Sequence, residues 1–369
     1  MAQFYNQELS LAFDIYGCPQ RCRHCWLGDL PNNHMNVEEV IDTFLRIKQE
    51  QEAKGYYGVQ VKYFSPDVRE PHFGRDYEEL YARTDRMNGC KLEVDKNYEL
   101  LSLWRLAHDF GYAKWAKERG IKRCQLKVFG LEKTNDYFHG RKGAHRDLLL
   151  ATNRLLDQGM IPRWQVYLNQ WGVKELDGVL DLVCELNLWE RVQELGEPFN
   201  IHLTTFDSEG NGFKNHNLRI NSADKRFIPK LLWQKTLEHF GEDCCLMTES
   251  EWIQAILAGE DRTPMPKEHN LFFFVTSDWK VYPNLGEVAP WWRLGNLQKD
   301  PWLDILSSYK NNIPIGLRNL DTLTNKELAT RYGDVTGDKL FMNVDELVGY
   351  YLAKANRWDA YGPFDHTIR

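Results

Sequence analysis

Apolar and polar residues alternate with a period of two along several short segments of the chain. In the first of these segments, Leu9, Leu11, Phe13 and Ile15 alternate with small or more polar residues. Because successive side chains of a β-strand point to opposite faces of a sheet, this period is typical of strands. The same pattern predicts five further strands, at residues 59–64, 98–106, 123–129, 161–169 and 200–206.

Segments with a helical period lie between these strands. Asn36 is a suitable N-cap, Glu39 follows three residues later, and the next apolar residues recur at helical spacing. Further helices are predicted at residues 112–119, 144–158 and 175–188. Strands that alternate with helices in this way predict repeated βα units around a parallel sheet, which is an α/β fold.

Three of the predicted strands carry a row of polar side chains on one face. The rows are Arg123, Gln125 and Lys127, then Arg163, Gln165, Tyr167 and Asn169, then His202 and Thr204. A parallel sheet that is covered by helices on both faces would be apolar throughout. The polar rows therefore predict a curled sheet with a lumen that holds a polar ligand. A half-solvated open sheet would give the same pattern.

Three cysteines lie close together directly after the first strand, at positions Cys18, Cys22 and Cys25. Soft sulfur ligands favour iron–sulfur clusters or zinc. A closed structural metal site uses four protein ligands, whereas three ligands leave one position for a reactant. The alternative is a zinc site in which His24 or His34 supplies the fourth ligand.

Composition and charge narrow the class of protein. Apolar residues make up 43% and charged residues 27% of the 369 positions, as in soluble globular proteins. No apolar run is long enough for a membrane span, and residues 1–13 lack the features of a secretory signal. A cytoplasmic location is expected, where clustered cysteines indicate metal binding rather than disulfides. The net charge of −7 argues against nucleic acid as the main partner.

The segment from Cys18 to Cys25 resembles the radical S-adenosylmethionine (radical SAM) signature C-x3-C-x-φ-C, with His24 at the φ position. This resemblance implies a partial (β/α)6 barrel similar to a TIM barrel, with one [4Fe-4S] cluster on Cys18, Cys22 and Cys25. It also implies that SAM chelates the fourth iron. An electron from a donor such as flavodoxin or ferredoxin would then yield a 5′-deoxyadenosyl radical, which abstracts hydrogen from the substrate.

The same resemblance implies which residues hold SAM. Glu70, in the segment Val-Arg-Glu-Pro, stands where the family has a Gly-Gly-Glu-Pro turn for the amino group. Arg141 stands where an arginine binds the carboxylate, and Lys127, in the place of a serine, could share that task. Asn169 matches an asparagine that binds the ribose hydroxyls, and His24 occupies the usually aromatic position of the motif.

Residues 272–306 resemble the first half of a SPASM or twitch domain, since they contain Val-Tyr-Pro and, later, Leu-Gly-Asn. Asn284 stands where that domain has a cysteine, and no cysteine follows Cys245, so an auxiliary cluster of the family type has no ligands here. The predicted organisation is a barrel over residues 1–215, a small α+β C-terminal domain over 216–324 and a helical tail over 325–369.

The resemblance predicts a radical SAM enzyme that acts on a peptide or a small-molecule natural product, by oxidation, epimerisation or another radical modification. The substrate candidates are polar residues that are not assigned to SAM: Gln165, Tyr167, His202, Thr204 and Asp207. Two alternatives are a radical SAM enzyme that modifies RNA and a zinc-stabilised binding protein without enzymatic activity.

Iron content tests the prediction of a single cluster. Protein reconstituted without oxygen should hold about four irons per chain, the content of one [4Fe-4S] cluster. Replacing Cys18, Cys22 and Cys25 together by alanine should remove all of this iron. A value of about eight, with about four left in the triple variant, would mean that a second cluster is present.

Overall fold

The computed structural model describes residues 9–18, 20–53, 61–66, 79, 82–83, 85–86, 101–241, 245–264, 271–284 and 286–362. The elements of the first part are β1 (Leu9–Phe13), α1 (Val37–Ala53), β2 (Val61–Pro66), α2 (Leu103–His108), α3 (Tyr112–Glu118), β3 (Arg123–Val128), α4 (Glu132–His139), α5 (Ala144–Asp157), β4 (Ile161–Tyr167), α6 (Leu176–Glu185), α7 (Leu188–Gln193) and β5 (Asn200–Thr204). The later elements are α8 (Gly210–Phe213), α9 (Lys230–Phe240), β6 (Met247–Thr248), α10 (Glu249–Ala258), β7 (Leu271–Val275), β8 (Lys280–Pro283), β9 (Gly295–Asn296), α11 (Trp302–Lys310), α12 (Ile315–Thr322), α13 (Asn325–Tyr332), β10 (Leu340–Phe341) and α14 (Val344–Tyr361).

Most of these strands belong to two sheets with parallel pairings. In the first sheet the order is β2-β1-β7-β8-β9, and β1 is parallel to both β2 and β7. In the second sheet β3, β4 and β5 are all parallel, in that order. Helices connect these strands, so the predicted α/β class is confirmed.

The two faces of the second sheet differ as the alternation predicts. Trp164, Val166 and Leu168 are fully buried on one face, where they belong to a core formed with the surrounding helices. The opposite face is polar, and there the Gln125 Nε2 atom donates to the Gln165 Oε1 atom over 2.5 Å. Hydrogen bonds between neighbouring strands thus satisfy side chains that an apolar core would leave unpaired.

The predicted third strand is wrong, because the part of it that the structure describes includes helix α2. Ser102 caps this helix, since its Oγ atom accepts from the Arg105 backbone N–H over 3.0 Å. Leu106 and Ala107, three and four residues after Leu103, are buried. That spacing belongs to a helix, and the alternation of polar and apolar residues in this segment was coincidental.

The C-terminal strands continue the sheet that carries the cysteines. β7 pairs with β1 from Leu9 opposite Leu271 to Phe13 opposite Val275, and β8 and β9 follow in antiparallel order. The helix expected near the end of the chain is α14, which packs against α12 and α13. No helix within the described ranges has the length and apolarity that a bilayer-spanning helix needs.

The core of the second sheet should depend on Trp164, whose Nε1 atom donates to the Thr152 Oγ1 atom over 3.1 Å. Trp164→Ala should lower the free energy of unfolding by about 3–5 kcal/mol, because it leaves a large cavity. Trp358 is 43% exposed, so Trp358→Ala should cost roughly 1 kcal/mol or less. Urea denaturation of both variants measures the difference, and equal losses would contradict this packing.

Candidate functional site

The cysteine loop, which we define as residues 17–28, begins directly beyond the carboxyl end of β1. Cys18, Cys22 and Cys25 are each partly exposed. The Cys18 backbone N–H donates to the Pro31 carbonyl oxygen over 3.1 Å, and Gly17 takes a positive φ of 61° at the turn. In folds with parallel strands, ligands bind at this edge of the sheet. The loop therefore lies where a binding site is expected.

Two other segments hold the cysteine loop by its main chain. The Arg23 N–H donates to the Phe138 carbonyl oxygen at the end of α4 over 2.8 Å. From the segment after β5, the Asn211 N–H donates to the Cys25 carbonyl oxygen over 2.8 Å, and the Asn215 Nδ2 atom donates to the Arg23 carbonyl oxygen over 2.5 Å. These bonds fix the path of the main chain next to the three cysteines.

Two glycines allow these segments to approach the loop. Gly140 has a φ of 70°, and a Cβ atom there would lie 2.3 Å from the Arg21 carbonyl oxygen. Gly210 has a φ of 56°, and its Cβ atom would lie 2.5 Å from the Cys25 carbonyl oxygen. Both the positive φ and the close approach require glycine.

The His24 side chain of this loop packs against the rings of Phe129, His139 and Tyr167, and we call these four rings the aromatic floor. The His24 ring centre is 4.5 Å from that of Phe129, 5.1 Å from that of His139 and 6.2 Å from that of Tyr167. The His24 Nδ1 atom lies 3.1 Å from the Phe138 carbonyl oxygen. The φ position of the motif is therefore packed among rings, as a flat binding surface would be.

The two histidines of this floor are neutral near pH 7. Desolvation by burial holds the pKa of His24 well below its usual value, and Lys127 and His139 lower it further. Burial also lowers the pKa of His139 to about 4, although a bond to the Lys127 carbonyl oxygen opposes the shift.

The residues predicted to hold SAM are only partly brought together. Lys127 lies on the polar face of β3, with its Nζ atom 5.7 Å from the centre of the Tyr167 ring. The Arg141 Nη1 atom instead forms an ion pair with the Asp147 Oδ2 atom of α5 over 2.5 Å. Glu70 lies outside the described residues.

Asn169 is fully buried and its amide is fully used by the backbone. Its Nδ2 atom donates to the carbonyl oxygens of Phe129 (2.8 Å) and Tyr167 (3.0 Å). Its Oδ1 atom accepts from the N–H groups of Trp171 (3.2 Å) and Gly172 (2.8 Å). An amide makes about four such bonds. The ribose contact stays a prediction that requires Asn169 to give up one of them.

The substrate candidates separate into two groups. Burial raises the pKa of Tyr167 well above its usual value, and the nearby Asp207 carboxylate raises it further. The ring of His202 stacks on that of His239 of helix α9, with ring centres 3.9 Å apart. Burial lowers the pKa of His202 to about 3. Gln165 is bonded to the neighbouring strand, as described above. Tyr167 lies beside the cysteine loop, since its ring centre is 6.2 Å from that of His24.

A cavity of about 560 Å³ opens at the carboxyl end of β5. Thr204 and Asp207 line it, and so do residues that the sequence did not single out: Trp26, Thr205, Phe206, Ser208, Glu209, Phe240, Met342, Asn343, Asp345, Glu346 and Gly349. Burial, with the nearby Glu287 carboxylate, raises the pKa of Glu209 to about 7. One signal was available, because the polar residues Asp207, Ser208 and Glu209 directly follow a predicted strand.

Substitution at Gly140 should damage the cysteine loop. Gly140→Ala and Gly143→Ala both place alanine at a positive φ, which costs about 1–2 kcal/mol. Only at Gly140 does the new Cβ atom also meet the Arg21 carbonyl oxygen, since nothing lies within 4 Å of a Cβ atom at Gly143. Gly140→Ala should therefore lose iron on reconstitution while Gly143→Ala retains it, and equal iron contents would contradict this contact.

Comparison with known proteins agrees with this arrangement. No protein-family model matches the chain. The Fe-coproporphyrin III synthase of Methanosarcina barkeri is 26% identical over 174 residues, which cover 46% of this chain and only 39% of that protein. The structure of native anSMEcpe with bound AdoMet matches with a TM-score of 0.53 and 16% identity, over 95% of this chain and 98% of that one. The same protein with AdoMet and the Cp18Cys peptide gives a TM-score of 0.51 at 17% identity, over 96% and 97% of the two chains.

The structural likeness extends over nearly the whole of both chains, so it concerns the complete arrangement of strands and helices and not one motif. The predicted fold of radical SAM type is thereby confirmed. Within this fold, the three cysteines in C-x3-C-x2-C spacing lie beyond the carboxyl end of β1.

Proposed function

We propose that the protein binds one [4Fe-4S] cluster on Cys18, Cys22 and Cys25 together with SAM, and abstracts hydrogen from a peptide or small-molecule substrate. The observation that carries this proposal is the cysteine loop, whose main chain is held from two sides and whose three cysteines are partly exposed. Three thiolates in a short loop fit a cluster that keeps one iron open to a second ligand.

The donor set fits this cofactor better than it fits a closed metal site. His24, the nearest additional ligand in the motif, is turned toward the Phe138 carbonyl oxygen and is packed against Phe129. Asn211 also donates to the Cys22 carbonyl oxygen over 3.3 Å, so the main chain next to the thiols is anchored. Among the described residues, the thiol and ring nitrogens that lie within 4.8 Å of one another belong to Cys22, His24 and His139, without Cys18 or Cys25, so a closed zinc site on all three cysteines and a histidine is not assembled.

Several residues would hold SAM beside the cluster. Lys127 carries a positive charge into the lumen next to the aromatic floor, which suits a carboxylate. Arg141 would join it, with Asp147 positioning the guanidinium through one of its amino groups. The His24 ring, neutral and packed among aromatic rings, suits contact with a flat nucleobase. Glu70 is proposed for the amino group from the sequence alone.

When bound, the cluster and SAM would supply a 5′-deoxyadenosyl radical after electron transfer from a donor such as flavodoxin or ferredoxin. The protein's own task is to orient the substrate and to exclude water and competing hydrogen donors. A buried cluster of aromatic side chains would help to exclude water from the site. Its members are Phe129, Phe138, Tyr167 and Phe206.

The cavity at the carboxyl end of β5 is the proposed substrate site. Trp26, the residue after the last cysteine, lines it, so the cavity borders the cysteine loop. Four carboxyl groups also line it, from Asp207, Glu209, Asp345 and Glu346, and Glu346 is paired with Arg219. A substrate with hydrogen-bond donors or a positive charge fits this lining better than a polyanion such as RNA does. The complex of anSMEcpe with the Cp18Cys peptide supports a peptide substrate.

Cleavage of SAM tests the proposal. Protein reconstituted without oxygen and reduced with dithionite should release 5′-deoxyadenosine and methionine. Cys25→Ala should lower this release to background, because the cluster loses a ligand. Cys184→Ala, a matched change at an exposed cysteine of α6, should leave it unchanged. Chromatography of the products measures both. Failure of the parent protein to cleave SAM, or equal cleavage by Cys25→Ala, would contradict the proposal.

A further inference from the structure

One group of side chains near the cysteine loop could ligate a single metal ion without the other two cysteines. The Cys22 thiol and one ring nitrogen each of His24 and His139 lie within 4.8 Å of one another. His24 is 6% and His139 is 8% exposed, whereas Cys22 is partly exposed. The three residues come from two segments, the loop after β1 and the end of α4, that backbone hydrogen bonds hold together.

Both imidazoles are oriented in the way that metal ligands usually are. The His24 Nδ1 atom lies 3.1 Å from the Phe138 carbonyl oxygen, and the His139 Nε2 atom lies 3.3 Å from the Lys127 carbonyl oxygen. A ligating histidine commonly donates one ring N–H to such an oxygen, which fixes the tautomer and leaves the other nitrogen for the metal.

We propose that, in the protein without its cluster, Cys22, His24 and His139 bind one divalent transition-metal ion such as Zn²⁺. Thiolate and imidazole are both usual ligands of zinc in proteins. Zinc bonds of about 2.0–2.3 Å place two ligands of one ion roughly 3.3–3.6 Å apart, so the widest pair, now within 4.8 Å, closes by about 1.5 Å or less. Cys22 releases its proton when the ion binds. The fourth coordination position is left for water or a further ligand.

The site excludes the cluster because Cys22 would serve both. Zinc bound here would leave Cys18 and Cys25 as unused thiols and occupy the face of the loop next to the aromatic floor. Zinc would therefore compete with cluster assembly and hold the loop in place in the inactive protein. The proposal concerns the cluster-free chain and does not depend on SAM cleavage.

Cobalt titration of the cluster-free protein under anaerobic conditions tests the site, because Co²⁺ replaces Zn²⁺ and gives visible thiolate-to-metal bands. One Co²⁺ should bind per chain with the band intensity of one thiolate, and Zn²⁺ should displace it. His24→Gln and His139→Gln retain an amide that can donate to the same carbonyl oxygens but removes the ligand. Each should weaken Co²⁺ binding more than about 100-fold, since even the loss of outer-shell partners costs roughly 10–100-fold.

Three control variants decide between this site and other arrangements. His145→Ala, Cys18→Ala and Cys25→Ala should leave Co²⁺ affinity unchanged, and far-UV circular dichroism should show that every variant is folded. Zinc added before reconstitution should lower iron incorporation in the parent and much less in His139→Gln. Loss of binding in Cys18→Ala or Cys25→Ala, a band of three thiolates, or full binding by His139→Gln would overturn the proposal. So would the absence of Co²⁺ binding by the folded parent.

Discussion

The rest of the site depends on how the main chain of the cysteine loop is held. Thiols can converge on one cofactor only if the loop is already in the right shape, and here neighbouring segments provide that shape through backbone hydrogen bonds. At the end of α4, the Phe138 carbonyl oxygen accepts from the Arg23 N–H, and in the segment after β5 the Asn211 N–H donates to the Cys25 carbonyl oxygen. Gly140 and Gly210 permit the two close approaches. The shape of the site therefore depends on residues that are distant in sequence as well as on the cysteines.

The C-terminal region takes part in the same constraint, which gives it a role although it lacks cysteines. β7 adds directly to β1, the strand that delivers the loop. Beyond it, the Val288 N–H donates to the Leu27 carbonyl oxygen over 2.9 Å, and the Glu287 carboxylate accepts from the Gly210 N–H over 3.0 Å. Glu287 is in turn paired with Arg357 of α14. These contacts give the C-terminal region a structural role beside the cysteine loop.

The sequence predicted the parts of the fold that rest on strong periodicity. β1, β3, β4, β5, α5 and the helix near the C-terminus are where the alternation and the helical spacing indicated. The segment that forms α2 was wrongly predicted as a strand, because its short pattern is compatible with both periods. Ser102, which caps the helix, is the signal that distinguishes the two. The polar row on the second sheet was also predictable, because the residues of β4 alternate between apolar side chains, which pack against helices, and polar side chains on the opposite face.

Individual roles within the site were harder to predict, because they depend on which partners tertiary structure supplies. Nothing in the sequence near Arg141 indicates that Asp147 will pair with it, or that four backbone groups will use the amide of Asn169. His139 was not singled out at all, since its closeness to His24 arises only when α4 meets the loop. The acidic lining from Asp345 and Glu346 likewise comes from a segment that is distant in sequence.

We propose that three thiols hold a cluster with one iron open to SAM. Electron paramagnetic resonance of the reduced, reconstituted protein, with and without SAM, tests this proposal. We expect the signal of one reduced [4Fe-4S] cluster, whose g values shift when SAM is added because SAM becomes a ligand of the open iron. A cluster signal that SAM leaves unchanged, or a protein that holds zinc and gives no cluster signal after reconstitution, would contradict it.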